Sequence, residues 1–357
     1  MNKLTSIIFA ILLVMVAATV QAQDKKDMFN PVNTSVTSQT IAPDARAAGM
    51  GDVGVATDAD VDVNSQYWNP AKYPFAISRA GVALNYTPWL RQLVNDMDVA
   101  YLAGYYRIGD YSAVSASMRY FSMGEVFMDG HTEDNAMTIN PYEMSLDVAY
   151  SLMLSETFSI AAGVRWIYSD LTFDFNEDTQ PGSAFAADIA AYYQNYINLG
   201  QRECQLGLGL NISNIGSKIN FGGDNHSFFI PTNLRLGASL KVPIDEYNRI
   251  TFAADANKLL VPTYPKQREG EDEEQYKQRM EDEYWNVSSI SGVEREDLHA
   301  EAGAHGEVLA VALVLALVVI TGAEEELVVV LVLCAHAPVD FLQLFLKSVG
   351  GIGETLE

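Results

Sequence analysis

"AVSASMRYF", Ala113–Phe121, places Val114, Ala116, Met118 and Tyr120 on one face of an extended chain and Ser115, Ser117 and Arg119 on the other. That is period two and not 3.6, the pattern of a strand whose faces meet different surroundings. "LGLGLNISN", Leu206–Asn214, repeats it, with Leu206, Leu208, Leu210 and Ile212 set against Gly207, Gly209, Asn211 and Ser213. Similar ladders run through Val82 to Tyr86, Val99 to Tyr105, Met144 to Tyr150, Ile160 to Tyr168, Ala184 to Tyr192, Leu234 to Leu240 and Ile250 to Ala256. Together they make about nine strands, many near the ~9–11 residues a tilted strand needs to cross a bilayer.

The connections alternate in length. Ile108-Gly109-Asp110, Leu154-Ser155-Glu156, Asn195 to Arg202 and Val242 to Asn248 are short; Thr87 to Met97, Ser122 to Pro141, Thr172 to Ser183, Ile215 to Pro231 and Leu260 to Ser289 are long. An outer-membrane barrel pairs short periplasmic turns with long outer loops, whereas a soluble sandwich mixes lengths. With a periplasmic N-terminus and an upward first strand, every long link falls outside the cell. Tyr105, Tyr106, Tyr111, Tyr168, Tyr192 and Tyr193 lie near strand ends and suit the aromatic girdles at the two membrane interfaces. The expected fold is therefore all-β, a transmembrane antiparallel barrel; a soluble sandwich with the same alternation is the competing reading.

The chain has 357 residues, room for one large barrel or two ordinary domains. Its net charge of −24 opposes nucleic-acid binding, which needs Lys and Arg to replace phosphate counterions. Cys204 and Cys334 make neither a disulfide framework nor a metal cluster by spacing. Lys3, the apolar run Ile7 to Val16 and Val20-Gln21-Ala22 read as a secretory signal peptide over residues 1–22. The apolar run is too short for a membrane anchor, which needs ~20 residues. The loop from Lys266 to Trp285 is acidic, helical in part and read as a solvated outer loop, not a metal site.

"DARAAGMGDVGVATDADVDVNSQYWNPA", Asp44–Ala71, resembles the Gly-rich segment ending in Asn-Pro-Ala that opens the FadL family of outer-membrane barrels. The resemblance implies that residues 23–79 form a hatch in the lumen ahead of barrel strands and outer loops over 80–296. Gly49, Gly51 and Gly54 suit tight turns, Pro70 fixes φ, Asn69 can bond neighbouring backbone, Tyr67 and Trp68 would wedge against the barrel interior, and Ala71 ends the motif. "YTPWLRQLVND", "YLAGYY", "RYFSMGEV", "AFAADIAAYY", "LGLNISNIGSKI", "FIPTNLRLGASL" and "DANKLLVPT" are similar to the PorV proteins of the type IX secretion system, over about Pro43 to Thr263.

That likeness implies a barrel of about fourteen strands in the outer membrane of a Gram-negative, Bacteroidetes-type cell. It also implies a receptor or shuttle role without cofactor or catalysis. The implied partners are cargo C-terminal signal domains, the translocon SprA, the sortase PorU, PorQ and PorZ, with outer-membrane lipid and lipopolysaccharide around the barrel. The outer loop with Pro88, Trp89, Leu90, Leu93 and Val94 is the candidate cargo surface, since it offers large apolar groups to water; folding back into the barrel mouth is the other reading. The rival function is FadL-like transport of hydrophobic small molecules. A lipid-modifying enzyme is a third class, but His131 near Glu133 and Asp134, and His226 beside Ser227, all fall in loops, and adjacency does not make a triad.

Residues 297–357 change character: they contain no Tyr, Trp, Asn, Arg or Met, and the alternation gives way to "VLAVALVLALVVI" and "LVVVLVLCA" flanking Glu324-Glu325-Glu326. About five closing strands are expected here, because an open barrel leaves an unpaired edge in lipid. The segment reads as a frame-shifted or miscalled translation, with a helical hairpin as the alternative.

Overall fold

A computed structural model describes residues 32–59, 62–91, 96–128, 137–171, 180–200, 202–222, 226–245, 248–262, 264–265, 267–268, 270–288 and 310–312. Its long strands are β1 (Ala80–Pro88), β2 (Asp98–Ile108), β3 (Ser112–Ser122), β6 (Tyr142–Ser155), β7 (Phe158–Asp170), β8 (Gly182–Leu199), β9 (Arg202–Gly216), β10 (Asn233–Pro243) and β11 (Arg249–Leu259). β4 (Val126–Met128) and β5 (Met137–Ile139) form a hairpin of their own in the loop between β3 and β6. Each long strand pairs antiparallel with its neighbour in sequence, and the nine curl into half a barrel. No described helix is long and apolar enough to cross a membrane. The signal-peptide residues lie outside the described residues, as does the tail apart from β12 (Ala310–Ala312), which pairs with Asp255, Ala256 and Asn257 of β11.

The alternation is that of a barrel in lipid: apolar groups point out and polar groups point in. On β3, Val114, Met118 and Tyr120 are exposed, while Ser115, Ser117 and Arg119 are buried on the concave side. The same inversion leaves Leu208 outside and Asn211 and Ser213 inside on β9, and Leu146 and Val148 outside with Ser145 and Asp147 inside on β6. In water this would hide the wrong face; in lipid it keeps these polar side chains out of hydrocarbon.

Tyr86, Tyr120, Tyr142 and Tyr168 gather near the long-loop end, with Tyr142 ring centroids 5.6 Å from Tyr120 and 6.0 Å from Tyr168. Tyr106, Tyr111, Tyr150 and Tyr196 are exposed nearer the short turns. Tyr105 and Tyr192 depart from the girdle expectation: both point inward and are buried, because each is one residue out of phase with its outward neighbour. The link expected from Asn195 to Arg202 is shorter than that, since the pairing of β8 with β9 continues to Leu199 and Arg202. Gly200 closes that turn at φ +73°, a conformation that costs glycine little.

The concave face holds residues 32–59 and 62–79. They contain two short helices, α1 (Ala45–Gly49) and α2 (Ser65–Trp68), and 3₁₀ turns at Thr37–Thr40 and Pro70–Phe75. Most of this segment is buried, including Val53, Val55, Trp68, Ala71 and Tyr73. Close seating depends on paired glycines in the wall: Gly209 of β9 lies opposite Gly237 of β10. A Cβ on Gly207 would stand 2.8 Å from the Ala56 carbonyl, and one on Gly237 3.0 Å from the Ala56 amide. A Cβ on Gly209 would overlap the Val55 carbonyl.

Gly209→Val is therefore expected to destabilise the folded barrel by roughly 1–3 kcal/mol through overpacking. Gly49→Ala, whose Cβ would meet nothing within 4 Å, is expected to be neutral or stabilising by up to about 1 kcal/mol. Thermal unfolding of the purified proteins in detergent measures both.

Candidate functional site

An irregular buried segment cannot satisfy its own backbone amides and carbonyls, so the wall must do it. Asp255 of β11 accepts the Gly54 and Val55 amides at 2.8 and 2.9 Å. Arg119 of β3 donates to the Ser38 and Ile41 carbonyls, the second at 2.9 Å. Asn211 donates to the Trp68 carbonyl at 2.8 Å, Ser151 to Pro70 at 2.8 Å and Ser239 to Ala56 at 2.6 Å, while Ser159 donates to Ala71. Arg107 reaches the Ala76 carbonyl at 2.6 Å.

The Tyr-Trp-Asn-Pro-Ala stretch sits at the centre of this network. Tyr67 lies between two guanidinium groups, with Arg119 4.8 Å and Arg235 4.5 Å from its ring centre. Its hydroxyl accepts from Arg235 at 2.8 Å and donates to the Gln39 carbonyl at 3.2 Å. Trp68 donates its indole N–H to Asp44 at 2.8 Å, and the same carboxylate's other oxygen caps α1 through the Ala47 amide. Asn69 donates to the carbonyls of Val55 and Ala191, at 3.0 and 2.9 Å, and accepts the Ala71 amide at 3.0 Å. Pro70 opens the 3₁₀ turn that follows, where its fixed φ suits the first turn and its missing N–H costs nothing.

The three glycines of this segment differ in role. Gly51 takes φ +71°, and Gly54 leaves the space into which the Trp68 ring packs. Gly49 is helical, with open space around it, so neither a turn nor a close approach requires it there.

Sequence reading did not pick out Lys72, which is completely buried. Its ammonium donates to Asp62 at 2.8 Å, the Gly54 carbonyl at 2.8 Å and Thr57 at 3.2 Å, tying three parts of the segment together. Burial pushes the Asp62 carboxyl up, but Lys72 outweighs it and holds the group below the usual carboxylate range. A second belt lies in the wall itself, where Arg165 joins Asp147, Asn214 and, at 2.9 Å, Asp188 across β6, β7, β8 and β9. The only sequence signal for these groups is a polar residue at an inward position of a strand.

At the long-loop end, Leu90 is 48% exposed and adopts φ +49°, a left-handed conformation that side chains rarely take. Trp89 is half-buried and its amide donates to the Met97 carbonyl at 2.9 Å; Pro88 is exposed at the end of β1. Arg91, Tyr86 and Asp98 brace the base of the loop, Arg91 meeting Asp98 at 3.0 Å and the Tyr86 hydroxyl meeting it at 2.7 Å. Leu93 and Val94 lie outside the described residues.

The acidic loop contains α3 (Glu273–Met280), N-capped by Asp272 through the Gln275 amide at 2.8 Å. It is not solvated throughout: a π turn over Glu281–Trp285 carries Tyr284 inward, where its ring packs 4.3 Å from Tyr264 and 5.3 Å from Phe229. His226 stacks on Trp285 at 4.4 Å, and the Ser227 hydroxyl accepts from Asn220 at 3.4 Å. His131, Glu133 and Asp134 lie outside the described residues.

The family model of the type IX secretion system protein PorV matches residues 21–266, spanning the lumen segment and all nine long strands. A search of curated proteins gives no match.

Lys72→Met strands Asp62 and is expected to cost about 3–5 kcal/mol, whereas Lys72→Met with Asp62→Leu should recover much of the loss. Urea unfolding of the three proteins gives the comparison.

Acid should act differently on the long loop after β11. Arg279 donates to both oxygens of Glu271, at 2.8 and 2.7 Å, and the Arg268 amide adds a third bond at 2.8 Å, holding that carboxyl down at about 2. A depressed carboxyl stabilises the fold above its ordinary value of 4.5 and loses that contribution as pH falls toward about 2. Pepsin cleavage within this loop, measured relative to an unstructured reference peptide, should therefore rise as pH drops through that window, and Glu271→Gln should abolish the relative rise.

Proposed function

The chain belongs to the PorV family of type IX secretion system proteins, an outer-membrane family, and on that premise we propose that it acts by binding and transfer. It receives cargo through the C-terminal signal domain after passage through the translocon SprA. It then carries that cargo to the sortase PorU and the attachment components PorQ and PorZ at the cell surface. Residues 23–79 serve as the hatch and residues 80–296 as the barrel and its outer loops. No step of this cycle calls for a cofactor or a reacting side chain.

The family match carries the proposal, and three features support it. The described wall spends many of its inward polar groups on the N-terminal segment, through contacts such as Asp255 with Gly54 and Asn211 with Trp68. A transport route for hydrophobic molecules would have to break these. A groove of about 170 Å³, lined by Phe158, Tyr193, Leu208 and Leu210 among others, is smaller than the ~300–1,000 Å³ of ordinary ligand pockets, and the exposed Leu208 puts it on the lipid side. Leu90, held exposed in a strained conformation beside Trp89, offers apolar surface at the end where cargo would arrive.

Trp89→Ala with Leu90→Ala is expected to leave barrel abundance unchanged and to lower cargo co-purification from native membranes on the order of tenfold, as loss of a hot spot does. Unchanged co-purification would remove this loop from the cargo surface. Fatty-acid binding by the purified wild-type barrel, with normal cargo release in cells lacking it, would favour FadL-like transport instead.

A further inference from the structure

We infer that the N-terminal segment threads the barrel from the long-loop end, so that its stretch from Val32 to Thr40 belongs to the cell-surface face and not to the periplasm. This rests on the outer-membrane reading above, in which the long loops face outward.

The wall supplies a ruler. The turns β2–β3, β6–β7, β8–β9 and β10–β11 mark one end; the long connections after β1, β3, β7, β9 and β11 mark the other. Val32 packs with Phe229, Val261 and Tyr284, all in long connections. The Ser35 amide donates to the Phe229 carbonyl at 2.9 Å, and Tyr284 donates to the Asn33 carbonyl at 3.3 Å. Val36 joins Ile167, Ala184, Ile219 and Ile230 at the same end. Ser38 and Ile41 follow on Arg119, three residues from the upper end of β3.

Farther along the segment the partners descend. Gly54 and Val55 meet Asp255 in the middle of β11, Ala56 meets Ser239, and Asp58 meets Lys241, two residues from the short turn after β10. After the excursion through α2, the Ala71 carbonyl takes Ser159 at the lower end of β7, and Ala76 and Arg79 meet Arg107 beside the β2–β3 turn. Strand β1 then starts upward from Ala80, paired with Tyr106.

At the short-turn side the segment runs straight into β1, whereas at the long-loop side Asn33 and Thr37 are exposed among the described residues.

The test uses the full-length protein in its own membrane, with Cys204→Ser and Cys334→Ser as background. Asn33→Cys, with Thr37→Cys as a second position, is treated in intact cells with a large membrane-impermeant maleimide. Lys277→Cys in α3 reports the long-loop end, and Asp110→Cys the short-turn end. The expected result is labelling of Asn33→Cys and Thr37→Cys together with Lys277→Cys, and labelling of Asp110→Cys only after the outer membrane is permeabilised. If both N-terminal positions instead follow Asp110→Cys, or react only on unfolding, while Lys277→Cys is labelled in intact cells, the threading is wrong. If Asp110→Cys is labelled in intact cells and Lys277→Cys is not, the outer-membrane orientation fails, and surface display of Asn33 and Thr37 fails with it.

Discussion

Everything inside this barrel follows from one requirement: the backbone amides and carbonyls of a buried, mostly irregular segment must find partners. An orphaned group costs about 1–3 kcal/mol, and residues 32–79 contain too little helix to satisfy their own. The strands supply the missing partners by placing a polar residue at alternate positions. Asp255, Arg119, Asn211, Ser151, Ser239 and Arg107 each sit on the inward phase of a strand and each take a backbone group of the segment. The inward polarity that would line a water channel in a porin here works as solvent for a polypeptide.

Charge fits the same logic. Arginines are suited to the work because one planar group can reach a carbonyl, a hydroxyl and an aromatic face together. Arg235 illustrates it, donating to the Tyr67 carbonyl and hydroxyl while lying over the Tyr67 and Trp68 rings. Buried carboxylates nearby supply the balancing charge, and Lys72 with Asp62 repeats the arrangement inside the segment itself. Drawing the segment out would break many of these contacts together. On the proposed reading, the work of the protein therefore lies at its outer mouth, with the lumen kept closed.

The strands were legible because membrane alternation is a local property: Val114 and Ser115 announce their faces without reference to any distant residue. The inward turn of Tyr105 and Tyr192 was obscured by pairs of adjacent tyrosines, where only the phase of the whole strand decides which ring meets lipid. The lumen network could not be read in this way. Asp255 and Gly54 are 201 residues apart, and Arg235 and Tyr67 are 168 apart; no spacing rule joins them. In the acidic loop, composition pointed to water, while one π turn was enough to bury Tyr284.

Those separations also order the steps of assembly. The segment is made before any strand, yet its middle meets β10 and β11 through Ser239, Lys241 and Asp255, the last long strands described. Until β11 is in place the Gly54 and Val55 amides lack the carboxylate that receives them, and until β9 and β10 pair, the glycine strip that admits Val55 and Ala56 does not exist. Contacts closed over such distances form late, because loop entropy must be overcome before they return any stabilisation. Seating the segment is thus coupled to completing the wall through β11: the sheet supplies its partners, and the segment neutralises and fills the face that the sheet would otherwise leave polar and open.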